Sequence, residues 1–497
     1  MTSTTPEHLD IIIVGAGISG IGAGHYVTTA LPGKTFTILE GRATFGGTWD
    51  LFKYPGIRSD SDLHTFGYEF KPWESKDSIA DAQKIIDYLQ ETMVENDLVD
   101  KVRYDHRVVS ADWSSEDGRW TVQVDHAGER ITLTANWLLF GSGYYDYEQG
   151  FTPEFAGRET FAGQIIHPQF WPEDLDYSGK KVVVIGSGAT AVTLVPSLLT
   201  SDKPAAHVTM LQRTPTYIMP VPKQDPLTIL GHRLLGHKRG HELARKRFIW
   251  QQRGVYVFAQ RFPGLARKII RTVNAKALPK DFPVDVHFNP PYNPWDQRLC
   301  AVPDGDLFKA IRSGKADVAT DKIATFDATG IELASGEHLD ADIIVTATGL
   351  KLKLLGGVTL SVDGRDVDLP NSVIHRGAML SGVPNAALAI GYTNSSWTLK
   401  VGMLWTYITK LIATMDAQGV DTAVAVADPD METRPALDFE AGYVTRALHE
   451  LPRQGVADDW RMSMSYFEDA KRLSSELSFG EESGLRLSSS KQAKVTV

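Results

Sequence analysis

Two strand–glycine turn–helix–strand units, a meander of short strands after each, and one long irregular insertion in the second predict an α/β protein of two dinucleotide-binding, Rossmann-like domains. The first unit runs from 9 to 40: an apolar run LDIIIV, a glycine cluster, a small-residue helix, then FTILE. A strand and a helix in that order, joined by a glycine turn, open a parallel sheet. The second unit repeats the design at 181 to 213, as KVVVIGSGATAVTLVPSLL followed by HVTMLQR. The first meander reads VRYDHRVV, WTVQV and ITLTANWLLFGSG (102 to 143), the second IATF, IELA and ADIIVTATG (323 to 349). The expected division is therefore a first domain opening at 1–145, a linker at 146–180 and a second domain at 181–349 containing a helical insertion at 214–305. Residues 350–475 have no nucleotide fingerprint of their own and are expected to complete the first domain, and 476–497, rich in Ser and Lys, to be loosely ordered.

Composition narrows the function. A chain of 497 residues with 42% apolar content is too long for one ordinary core and too apolar to be disordered. With 51 Lys and Arg against 61 Asp and Glu, its net charge of −10 excludes the broad positive field of a nucleic-acid binder. The single cysteine, Cys300, excludes a disulfide framework, a CxxC redox pair and a cysteine-rich metal site, and no metal is expected. The opening MTSTTPEHLD lacks a charged-then-apolar leader pattern, so the expectation is a soluble, cytoplasmic protein. Charge is unevenly spread: Lys223 to Lys276 holds 13 Lys or Arg and 2 acidic residues. A helical insertion with a solvated basic face is the first reading of that run; contact with a membrane or an acidic partner is the second.

The glycine motifs specify the nucleotides. Gly15, Gly17 and Gly20 have GxGxxG spacing directly after a strand. The first permits the tight turn, the second lets a pyrophosphate approach the helix N-terminus, and the third allows close helix–strand packing. Glu40 ends the next strand, where a carboxylate holds free ribose hydroxyls and repels a 2′-phosphate. The following Gly47, Thr48 and Trp49, in GGTW, exceed what a nicotinamide nucleotide needs and suit a longer cofactor, FAD. In the second motif Gly186, Ser187, Gly188, Thr190 and Ala191 form GSGATA, with Ala in the third glycine position. No acid ends its second strand; Arg213 and Thr214 stand there instead, donors that fit a 2′-phosphate and specify NADPH. FAD in one domain and NADPH in the other imply hydride transfer between them.

Three uses of a reduced flavin compete, and Cys300, having no second cysteine, removes the disulfide reductase. FAGQIIHPQFWP, 161 to 172, matches FxGxxxHxxxWP through Phe161, Gly163, His167, Trp171 and Pro172. That pattern resembles the fingerprint of type I Baeyer–Villiger monooxygenases, of the flavin-containing monooxygenase superfamily. YPGIRSDSD (54 to 62), YNPWDQR (292 to 298), ATG (347 to 349) and GYTNSSWTLK (391 to 400) are most similar to its ethionamide-activating branch. The resemblance implies an enzyme that uses NADPH, FAD and O2 to convert ketones to esters or lactones and thioethers to sulfoxides, through a flavin C4a-peroxide. It implies that Arg298 lies over the flavin and is catalytic, that Asp60 holds that Arg, and that Arg58 and Asp60 lie near the nicotinamide nucleotide. It gives His167 and Trp171 a hinge role. Many relatives carry Lys just before the catalytic Arg, whereas this chain has Gln297, leaving more of the 2′-phosphate recognition to Arg213. An S/N-monooxygenase without ketone activity, or a flavoprotein reductase with a protein partner, are the alternatives.

Overall fold

A computed structural model describes residues 5–490, except 298, 438–440 and 457–458. Strand Glu7–Val14, helix Ile18–Ala30 and strand Phe36–Leu39 form the first βαβ unit. In the sheet, Glu7–Val14 lies between Phe36–Leu39 and the long strand Glu129–Phe140, parallel to both. The long strand serves two sets of partners. Its first half pairs antiparallel with Arg119–His126, and its last residues pair parallel with Ala386–Leu388. A parallel nucleotide sheet thereby runs on into an antiparallel meander, which Thr359–Val362 extends along His106–Ser114. Alternation sorts the strand's side chains: Ile11 and Ile13 join one core with Val27 and Leu411, while Ile12 and Val14 join another with Trp113 and Trp120. Helix Ile18–Ala30 lies so close to its turn that a Cβ at Gly20 would come within 1.8 Å of the Gly15 carbonyl oxygen.

The second sheet is wholly parallel, in the order Ala316–Thr320, His207–Gln212, Lys181–Ile185, Ile343–Thr346, Gln164–Ile166. Both of its faces are covered, as the continuous run KVVVI requires: Val182 and Val184 enter one core, Val183 and Ile185 another. The expected linker thus contributes an edge strand to this sheet. The chain leaves the first lobe through Tyr145–Gly150 and returns through Leu350–Leu352, and these two crossings pair antiparallel.

The insertion contains helices Pro226–Leu235, His237–Arg261 and Pro263–Ala277, with parallel strands Ile218–Val221 and Cys300–Pro303 at its ends. Gly236, at φ 77°, breaks the first two helices apart, and Pro263 starts the third. The long helix docks on the first lobe by polar contacts. Arg245 Nη1 donates to the carbonyls of His64 and Gly67, both at 2.9 Å, at the C-terminal end of helix Leu63–Phe66. Gln252 Nε2 donates to Asp62 Oδ2 at 2.7 Å, and its Oε1 accepts from Ser395 Oγ at 2.5 Å. Arg247 pairs with Asp225. His64 and His241 are buried in the same contact, ring centroids 5.8 Å apart. Loss of hydration, then neighbouring positive groups, lowers His64 to about 3 and His241 to about 4.

Beyond 390, helix Thr398–Gln418 packs on Ile18–Ala30, where Trp397 Nε1 and Trp405 Nε1 donate to Ser19 Oγ and Ser19 O, each at 2.9 Å. Lys400 and Asp469 form a fully buried pair at 3.2 Å. Asp469 also accepts from Arg472 (2.7 Å) and Tyr392 OH (2.8 Å), and Lys400 donates to Ser463 O at 2.8 Å. The tail expectation is corrected: Leu485–Ser488 is a strand paired antiparallel with Thr422–Ala425, and Leu485 is buried in the first core. The Ser-rich composition hid the alternation of Leu485 and Leu487, which is what a half-buried strand needs. Residues 491–497 lie outside the described residues. Among the described residues no helix is long and apolar enough to cross a membrane.

Two outcomes follow from these buried charges and rings. Lys400→Met leaves Asp469 buried with one cation fewer and should destabilise the protein by about 3 kcal/mol, read by thermal or urea unfolding. His64 and His241 titrate lower in the folded chain than in the unfolded one, which binds their protons near pH ~6.5. Their contribution is therefore complete above that pH and is lost as pH falls toward the folded values. The Tm should drop between neutral and mildly acidic pH, and less steeply in His64→Gln/His241→Gln; parallel curves for the two proteins would exclude these rings as the cause.

Candidate functional site between the two glycine turns

A single cavity of about 1070 Å³ connects the two lobes. At one end it is walled by Gly15, Gly17, Glu40, Gly47, Thr48 and Trp49, and at the other by Gly188, Ala189 and Thr190. Each helix begins at a glycine N-cap, Gly17 and Gly188, with no side chain bonded over its first turn. Those first-turn N–H groups have no intrahelical partner, and at a bare helix start they suit an anion. A Cβ on Gly188 would meet nothing within 4 Å, so the backbone there borders open space. A Cβ on Gly47, at φ 56°, would lie 3.1 Å from Gly17 Cα, so this loop closes over the first turn with no side chain between.

Glu40 is buried with both oxygens held: Oε2 accepts from Ala16 N–H at 2.8 Å and Oε1 from Arg42 N–H at 3.0 Å. Burial raises its pKa, and the backbone donors act against that rise. Each oxygen keeps a lone pair for a hydroxyl. Arg58 and Asp60 reach the cavity from the loop after Trp49. Arg58 Nη1 donates to Asp306 Oδ2 at 2.5 Å, while its buried Nη2 has no bond among the described residues. Asn394 Oδ1 and Tyr443 OH, also on the wall, are likewise buried and unbonded. A cavity with bare helix starts at both ends and unfilled polar atoms between them fits a flavin dinucleotide and a nicotinamide nucleotide laid end to end.

Other expected residues stand behind the wall. Gly20 and Ala191 pack their helices onto the sheets, and Gly186, at φ 133°, forms the second turn. Ser187 Oγ bonds to Thr214 O (3.2 Å) and Thr216 Oγ1 (2.7 Å), tying the turn to the segment after the second strand. Arg213 is exposed beside that turn and outside the cavity lining. Arg298 lies outside the described residues, and so do its contacts.

The fingerprint residues sit at the crossing between the lobes. His167 Nε2 approaches Gly349 O at 3.2 Å, and its Nδ1 accepts from Gln169 N–H at 3.2 Å. Its ring packs so closely on Gly150 that a Cβ there would come within 2.1 Å of it. Burial lowers its pKa, and the carbonyl of Gly349 opposes that. Phe161 is buried beside Phe326 in the second lobe, and a Cβ on Gly163 would lie 2.3 Å from Asp342 O. Trp171 packs on Tyr177, while Pro172 is exposed.

Sequence reasoning missed Asp62, Tyr147 and Gln252, all on the cavity wall. Asp62 accepts from Thr65 N–H (2.9 Å), Thr65 Oγ1 (2.7 Å) and Gln252, and burial raises its pKa. Its signal was present in DLHT, an N-cap Asp three residues before Thr65. Tyr147, pushed up to about 12 by loss of hydration, bonds to Thr48; the aromatic run after the GSG turn was its only trace. Nothing local marks Gln252.

Comparison with known proteins places this geometry. A family described as "Flavin-binding monooxygenase-like" matches residues 68–228, and one described as "NAD(P)-binding Rossmann-like domain" matches 13–74. The chain is 51% identical over 468 residues to "FAD-containing monooxygenase EthA" of Mycolicibacterium smegmatis, covering 94% of this chain and 95% of that one. It is 49% identical to the protein of that name in Mycobacterium tuberculosis, over 94% and 95% of the two chains. It is 48% identical to "Probable FAD-binding monooxygenase AlmA" of Acinetobacter baylyi, over 94% of each. Among solved structures, an oxidized steroid monooxygenase bound to NADP superposes with TM-score 0.75 at 22% identity, covering 97% of this chain and 100% of that one. An open cyclohexanone monooxygenase gives TM-score 0.70 at 20% identity, over 85% and 90%. Likeness at such identities speaks for the shared two-domain fold; the longer and closer sequence matches carry the family. The chain belongs to the family of flavin-binding, FAD-containing monooxygenases.

Proposed function

We propose that this monooxygenase takes its electrons from NADPH, inserts one oxygen atom of O2 into ketones to give esters or lactones, and oxidises thioethers to sulfoxides. The observation that carries the reading is the single cavity that reaches from Glu40 and the first glycine turn to Gly188 and the second. The FAGQIIHPQFWP motif adds support for ketone chemistry.

Bound flavin, reduced by the nicotinamide nucleotide, supplies the two-electron activation of dioxygen. The chain's own residues do the rest. Glu40 accepts ribose hydroxyls, with its carboxylate already oriented by two backbone N–H groups. The bare helix starts at Gly17 and Gly188 neutralise pyrophosphates. Arg213, at the open edge of the second turn, meets the 2′-phosphate as a bidentate donor. Arg298, which stays protonated throughout, stabilises the negative charge that develops on the substrate's carbonyl oxygen, and Asp60 holds it in place. Trp397, its ring 4.9 Å from that of Tyr144, and Trp49 wall the interior against water.

Arg298→Ala should lower ketone oxygenation by about two to three orders of magnitude while flavin reduction by NADPH persists in stopped-flow; wild-type-like ester formation would falsify the role. Arg213→Ala should raise the KM for NADPH and leave NADH little changed. Equal losses with both would move the 2′-phosphate contact elsewhere. Mass spectrometry of products from a ketone and thioether panel, with labelled oxygen, tests the reading as a whole. Sulfoxide without ester would leave an S-monooxygenase, and NADPH oxidation without labelled product a reductase.

A further inference from the structure

The outer side of the insertion combines two properties found together nowhere else among the described residues. Twelve of the seventeen large apolar side chains exposed among the described residues fall between Leu227 and Ile269. The same stretch holds most of the 13 Lys and Arg that face 2 acidic residues between Lys223 and Lys276, in a chain whose net charge is −10. On helix His237–Arg261 the two properties share one face. At the ideal 100° per residue, Arg239, Leu243, Lys246, Trp250, Val257 and Arg261 fall within an arc of about 60°. All six are exposed, Leu243 by 54% and Trp250 by 65%. His241, Ala244 and Ala259 lie on the opposite, buried side.

The fold does not use these outward cations. Arg245 and Arg247 turn inward to the first lobe and to Asp225, and Arg271 pairs with Asp285. Arg239, Lys246, Arg261 and Lys268 have no ion pair among the described residues and project beside Leu243, Trp250, Phe262 and Leu265. An exposed apolar patch of this extent needs an occupant. A second copy related by a two-fold axis would press this positive face against its own image. Long basic stems among aliphatic and aromatic side chains instead match a surface that is anionic outside and apolar just beneath. Val255, which lines the cavity, lies on the other side of the helix from this face, so docking there leaves the cavity side free.

We propose that this face docks on an anionic lipid surface, with Leu243, Trp250 and Phe262 at the acyl boundary and Arg239, Lys246, Arg261 and Lys268 among the headgroups. The docking does not depend on which substrate is oxygenated. Its test is sedimentation of the full flavin-loaded chain with phosphatidylcholine vesicles, with and without about 30 mol% phosphatidylglycerol. Binding should require the anionic lipid and fall at least about tenfold at ~1 M salt. Arg239→Glu/Lys246→Glu and, separately, Leu243→Ser/Leu265→Ser should each lose at least about tenfold in binding with Tm unchanged. The proposal is overturned by failure of the parent protein to sediment, by equal binding to neutral vesicles, or by variants that bind as the parent does. It is also overturned if light scattering finds a dimer that these variants dissolve and that does not bind vesicles.

Discussion

The loop from 46 to 62 is the contact on which the site depends, because it touches both nucleotide units at once. Gly47 lies against Gly17 of the first turn, and a Cβ on Gly56 would lie only 1.8 Å from Ser197 Oγ, on the helix that follows the second turn. Phe52 and Tyr54, between them, are buried in the second lobe's core with Val192 and Val195. A chain segment that belongs to one lobe and is packed in the other fixes the distance between the two helix starts. It also brings Arg58 and Asp60 to the cavity. At Gly47 and Gly56 φ is also positive, 56° and 77°, so glycine makes both approaches without strain where a side chain would not.

That arrangement explains which parts could be read in the sequence. The glycine turns, their strands and Glu40 were legible because a βαβ unit is specified within some thirty residues, by apolar run, turn and helix in order. The α/β, two-domain fold follows from finding that signal twice. Pairings across long separations left no local mark: Thr359–Val362 joins His106–Ser114, and Ala386–Leu388 joins the end of Glu129–Phe140, only because the sheet edges are there to be covered. The strand at 485 was hidden for a related reason, since a short alternation of two Leu is outweighed by surrounding Ser. In the site, residues tied to a motif were visible, and residues delivered by docking, Gln252 above all, were not.

The insertion shows how a strongly basic segment is divided by packing. Of its inward cations, Arg245 finds backbone carbonyls and anchors the long helix to the first lobe, while Arg247 holds a carboxylate at the start of the insertion's own first helix. Its outward cations alternate with apolar side chains on one face. Composition gives the total charge; only the helical register separates cations that hold the fold from those left to face outward.

The joint between the lobes has a mechanical corollary. The outgoing segment Tyr145–Gly150 and the returning segment Leu350–Leu352 are laced together as neighbouring strands, and the imidazole at 167 is clamped onto both by Gly150 and the Gly349 carbonyl. Sliding of one segment past the other would break those pairings together. The halves are held at this joint and again by the 46 to 62 loop in the second lobe's core, so neither can be reoriented without disturbing a packed contact.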